Sequence, residues 1–196
     1  MKKILILSGG YSKEKEISRA SAKSIYKTLK DKYKILVCEP DAEFISKIKK
    51  FKPDIVYNSL HGRFGEDGYI QALLENLKVK YTHSGVNSSS IAMDKEISKR
   101  IFIRNNIRTP KFLKLNNFDL IKDKNTLLKN IEIKLGFPVV IKPVDEGSSV
   151  DVNICNKKNI IKNLKKLSSY KEVLVEKYIG GREIQVAIMG NKKLGV

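Results

Sequence analysis

Between Lys3 and Thr82 the chain alternates short apolar runs with stretches of helical periodicity, and the runs stop at turn signals. Lys3–Leu7 reads as a buried strand that ends at Gly9-Gly10. A helix from about Glu14 to Lys30 follows, with Ile17, Ser21, Ile25 and Leu29 along one face. Tyr33–Cys38 is a second strand, and Phe44, Ile45 and Ile48 mark a short helix. Asp54–Leu60 is a third strand ending at His61. Tyr69–Leu77 is helical and Val79–Thr82 a short strand. A βαβαβ order of this kind demands an α/β fold with a parallel sheet and right-handed crossovers. Ligands in such sheets sit outside the carboxyl ends of the strands. Gly9-Gly10 and His61 both fall there.

The second half has another rhythm. Ser88–Asn106 reads as one long helix carrying Ile91, Ile97, Ile101 and Phe102, broken at Thr109-Pro110. Lys111–Leu115, Phe137–Pro143, Val152–Cys155, Val173–Ile179 and Ile184–Met189 read as strands. Thr126–Leu135 and Asn159–Leu167 read as helices between them. Two domains are therefore expected, 1–90 and 91–196. Asn191-Lys192-Lys193 reads as a hairpin turn and Leu194-Gly195-Val196 as the start of a strand. A chain stopping there is expected to lack its remainder.

The 196 residues are 41% hydrophobic and carry a formal net charge of +18, from 39 basic and 21 acidic residues. That size supports one large core or two small ones. The charge invites a nucleic-acid reading. The basic residues are scattered, mostly lysine, and not interleaved with aromatics, so they read as solvated surface. Cys38 and Cys155 sit singly in apolar runs, as buried free thiols of a reducing compartment do. His61 and His83 lack metal-ligand spacing to them. The N-terminal apolar run is too short for a signal peptide, and no run approaches a membrane span. A cytoplasmic protein is expected.

Two loops carry chemistry. Val139–Ile141 runs into Lys142-Pro143 and then Glu146-Gly147-Ser148-Ser149. A strand delivering an ammonium into a small-residue turn can hold phosphate, although a plain strand and polar turn would look the same. His61-Gly62-Arg63-Phe64-Gly65-Glu66-Asp67-Gly68 combines a strand-end histidine with three glycines. It suits close backbone approach to a ligand, or simply a turn.

These loops occur in order with Ser8-Gly9-Gly10-Tyr11-Ser12-Lys13-Glu14, with Met93-Asp94-Lys95, and with Val173 to Ile179 followed by Glu183. In combination they resemble the D-alanine–D-alanine ligases of the ATP-grasp superfamily across essentially the whole chain. The resemblance implies a Rossmann-like, pre-ATP-grasp N-terminal domain and an incomplete α+β ATP-grasp domain. It implies ATP-dependent activation of one D-alanine as an acyl phosphate and attack by a second, for peptidoglycan synthesis. Glu14 would bind the first D-alanine's ammonium and hydrogen-bond Ser148, which helps orient the second substrate. His61 would lie near the acyl-phosphate oxygen. Lys95 and Lys142 would contact phosphates, and Glu176, Lys177 and Ile179 would line the adenine. Glu183 would bind the ribose. Mg²⁺ or Mn²⁺ is implied, with its ligands expected beyond Val196, as is a homodimer.

Asp151 stands where the family usually has glycine, and His83 where it has a small residue. An acid beside a triphosphate must turn outward to be tolerated. D-lactate- or D-serine-accepting ligases share the chemistry. A non-catalytic nucleotide- or nucleic-acid-binding module is the reading of another class.

Overall fold

The computed structural model describes residues 1–116 and 123–195. Its first sheet is parallel, ordered β2-β1-β3, with β1 at Lys3–Leu7, β2 at Lys34–Cys38 and β3 at Ile55–Asn58. Val79–Thr82 adds only an isolated parallel bridge, Val56 to Tyr81. Successive side chains of central β1 leave opposite faces and build two cores. Leu5 and Leu7 pack with Phe44 and Ile48 of α2 (Phe44–Phe51) and with Ile70 and Leu74 of α3 (Tyr69–Asn76). Ile4 and Ile6 pack with Ala22 of α1 (Lys15–Leu29). A strand covered on both faces shows an apolar run without polar alternation, which is why this half is legible.

The α1 face departs from expectation. Ser18 and Ala22 are its buried residues, with Ile25 and Leu29 packed alongside, whereas Ile17 is 55% exposed. The inward stripe thus begins one residue later than Ile17, on small residues that let the helix lie close to the sheet.

The long helix expected at 88–106 is two, α4 (Val86–Met93) and α5 (Lys95–Arg104). Asp94 interrupts it: extended at φ −78°, ψ 104°, it caps α5 by accepting from the Ile97 N–H at 2.9 Å. The apolar stripe was also misplaced. Ile97, Ile101 and Phe102 are each 38–44% exposed, while Glu96 and Lys99 are buried. Helix α5 meets its neighbours through paired charges.

The second sheet is antiparallel, ordered β4-β7-β5-β6: β4 (Phe112–Asn116), β5 (Val139–Pro143), β6 (Asn153–Cys155) and β7 (Glu172–Lys177). One face carries Val139, Ile141, Val173 and Val175 against α6 (Lys124–Lys134) and α7 (Ile160–Lys166). The other presents Lys142 and Glu176. Strand β8 (Ala187–Met189) is shorter than the expected 184–189, and it pairs with β9 (Lys192–Gly195) around Gly190-Asn191. Val196, expected in that last strand, lies outside the described residues. Among the described residues no helix is long and apolar enough to cross a membrane.

Candidate active site

The turn after β5 and the far ends of β5 and β7 enclose a cleft of about 410 Å³. Lys95, Lys142, Ser148, Glu176, Lys177, Ile179 and Glu183 all line it, so the residues predicted from three separate stretches of the chain converge. Glu14 and His61 do not. His61 lines a neighbouring cavity of about 360 Å³ at the carboxyl edge of the first sheet, walled by Gly10, Tyr11, Phe64 and Tyr69.

Strand geometry explains the convergence. Val140 stands opposite Glu176 and Lys142 opposite Leu174, so Lys142 and Glu176 are diagonal neighbours on one face. Their side chains pair through Lys142 Nζ and Glu176 Oε1. The other oxygen, Oε2, lies 2.9 Å from Lys99 Nζ. Burial alone would raise the Glu176 carboxyl, but the two lysines outweigh it and hold it below the ordinary glutamate value.

Glu96 is built the same way. It takes Arg100 Nη2 at 2.7 Å and Lys114 Nζ at 2.6 Å. Burial would raise it, and its two cations again lower it. A depressed carboxyl stabilises the fold above its ordinary pKa, and that stability is lost as pH falls through the depressed value. The urea midpoint is therefore expected to be steady near neutrality and to drop below pH 4.5, the ordinary glutamate value. Glu96→Gln should flatten part of that drop. An unchanged acid limb would contradict the assignment.

Lys95 opens α5. Its N–H donates to Val144 O at 3.1 Å and its ammonium to the Glu146 carbonyl, pinning the helix to the turn after β5. Burial lowers its pKa, and Lys142 lowers it further. An ammonium lowered by a second ammonium in one cleft makes a cationic pair chemically suited to an anion.

Glu14 lies before α1 and is 4% exposed. Neither of its oxygens has a hydrogen-bond partner among the described residues. The expected bond to Ser148 is not made: Ser148 is exposed and holds φ 41°. The carboxylate instead abuts two glycines. A Cβ on Gly62 would lie 2.8 Å from Oε2, and one on Gly147 3.5 Å from it. Gly62 also has φ 69°. These glycines keep space open beside a buried carboxyl group that has no ion-pair partner among the described residues.

The His61 loop is braced by groups that sequence reasoning missed. Asn58 Nδ2 and Gln71 Nε2 both donate to Gly65 O, at 2.8 and 2.9 Å. The Gly62 N–H donates to Glu66 Oε2 at 2.7 Å, and His61 Nδ1 lies 4.0 Å from Glu66 Oε1. An amide at the end of β3, Asn58, and one early in α3, Gln71, were the available signal. His83, which stands where the family usually has a small residue, has its Nδ1 3.2 Å from Asn58 Nδ2. Burial lowers its pKa, so a neutral ring accepts there.

Asp151 stands at a position whose backbone suits the glycine that the family usually has there. It has φ 56°, a conformation glycine adopts freely. Its carboxylate faces Lys13 at 3.0 Å and also takes the Tyr170 hydroxyl, and it is no part of the cleft lining. The acid is turned outward, tying the turn after β5 to the segment before α1. Among the described residues no three His, Cys, Asp or Glu side chains converge as a metal site.

A family model described as D-ala D-ala ligase N-terminus matches residues 38–84, and one described as D-ala D-ala ligase C-terminus matches 101–196. The D-alanine–D-alanine ligase of Pelagibacter ubique is 61% identical over 99% of the chain, which spans 63% of that relative. The Wolbachia pipientis wMel enzyme is 40% identical over 98% of the chain, which spans 59% of it. The crystal structure of the Bacillus anthracis ligase superposes with TM-score 0.80 at 36% identity, over 92% of this chain and 59% of that one. Its complex with ATP gives 0.75 at 34%, over 92% and 60%. With the N-terminal family model matched ahead of the C-terminal one, and relatives 61% and 40% identical along nearly the whole chain, the chain belongs to the D-alanine–D-alanine ligase family.

Proposed function

We propose that this chain carries the first-substrate and nucleotide sites of an ATP-dependent ligase that joins two D-alanines for peptidoglycan precursors. The observation that carries the reading is the buried Glu14 carboxylate, with both oxygens unpartnered, beside Gly62 and Gly147. Such a charge calls for a small cationic group, and an amino acid's ammonium is one. His61, at the same sheet edge, is placed to donate toward an oxyanion. Lys95 and Lys142 offset charge on a phosphoryl group as it moves to the substrate carboxylate. Lys177 and Ile179 offer strand backbone to adenine, and Glu183 accepts from the ribose. Ser148 orients the second amino acid once the turn closes. We place the division between domains near residue 90. A cytoplasmic homodimer using Mg²⁺ completes the proposal.

The test is phosphate release from ATP by the chain extended to its relatives' length, with D-alanine or L-alanine. Release that needs D-alanine supports the reading, and release indifferent to it would sink the reading. The nucleic-acid alternative predicts DNA binding that persists at physiological salt.

A further inference from the structure

We infer that Lys99 is a positioning residue for adenine recognition: it keeps Glu176 ionised and aimed when Lys142 leaves for the phosphates. The inference rests on the nucleotide reading above.

The carboxylate of Glu176 has a lysine on each oxygen, and the two lysines differ in kind. Lys142 lines the cleft and its side chain is 20% exposed. Lys99 does not line the cleft and its side chain is 8% exposed. Its ammonium is also fixed by the Thr109 hydroxyl at 2.6 Å and stands 5.4 Å above the Phe112 ring. A lysine buried to this extent is seldom found without a partner, and this one has no route to a ligand in the cleft. Lys142 can swing to a phosphate, and doing so frees Oε1. The freed oxygen can then accept from adenine's exocyclic amine only if Glu176 stays ionised and does not follow Lys142. Lys99, on Oε2, meets both conditions. With Lys99 gone, burial would favour the protonated carboxyl once Lys142 departed.

An ionised acceptor has a signature. It takes an amine donor and rejects the carbonyl that hypoxanthine carries at the same position. Isothermal titration of this chain with ATP and with ITP reads the preference directly. Wild type is expected to favour ATP by at least tenfold. Lys99→Met should cut that preference to near unity, and Lys99→Arg should restore much of it. Thr109→Val, a milder change, should lower it in part. Lys142→Ala should weaken both nucleotides alike and leave the ratio standing. Circular dichroism checks each fold.

The outcomes separate two failures. If Glu176→Gln loses the preference and a folded Lys99→Met keeps it, the role of Lys99 is overturned while the nucleotide reading stands. If wild type shows no preference, or Glu176→Gln keeps it, the adenine reading fails and Lys99 loses its role with it.

Discussion

Replacing Glu14 with methionine is expected to raise the melting temperature and to abolish the response to D-alanine. Glu14 is 4% exposed and neither oxygen is hydrogen-bonded among the described residues. Burying a carboxylate without a partner costs several kcal/mol even after local relaxation. Methionine fills a similar volume without the charge and, being unbranched, fits beside Gly62. A gain of about 1–3 kcal/mol follows from relieving an unsatisfied buried group. At this size each kcal/mol is worth about 2–4 °C. A residue that weakens the free fold and is retained for a ligand should show both effects in one variant. Thermal melts with and without millimolar D-alanine check this. A variant that melts below the parent, or keeps the D-alanine shift, would place Glu14 in the framework instead of the site.

The same residue shows where sequence patterning reaches and where it stops. Glu14 could be assigned through its motif, and its burial without a partner could not, because the two glycines that surround it come from segments 48 and 133 residues downstream. The first sheet was legible since β1 is covered on both faces and reads as an unbroken apolar run. Helix α5 was misread for the opposite reason. Its inward residues are Glu96 and Lys99, each neutralised by groups from other segments, and a search for apolar periodicity selects its exposed side. The residues proposed for the nucleotide, Lys95, Lys142 and Glu176, lie in recognisable motifs. Lys99, against Glu176, and Asn58 and Gln71, against Gly65 of the His61 loop, support those segments from behind and belong to no motif. The phosphate and adenine assignments looked independent along the chain, but the strand register makes Lys142 and Glu176 one ion pair.

That pairing sets the expectation for Lys142→Ala. Nucleotide affinity should fall on the order of 100-fold, matching the several kcal/mol that a preorganised cation contributes beside phosphate. Stability should fall far less than the 3–5 kcal/mol typical of breaking a buried ion pair. Two features limit the loss. Lys142 retains 20% side-chain exposure, so its removal admits water, and Glu176 still has Lys99 at 2.9 Å. A second consequence concerns Lys95, whose ammonium is disfavoured by burial and then by Lys142. Taking Lys142 away should raise the Lys95 pKa, readable by NMR of the labelled side chain. Binding phosphate to the parent chain should move it in the same direction. Isothermal titration and urea melts of the two chains separate the effects. Equal losses in affinity and stability would show that Lys142 serves the sheet rather than the nucleotide. A Lys95 that titrates unchanged in the variant would show that the two ammoniums do not share one anion site.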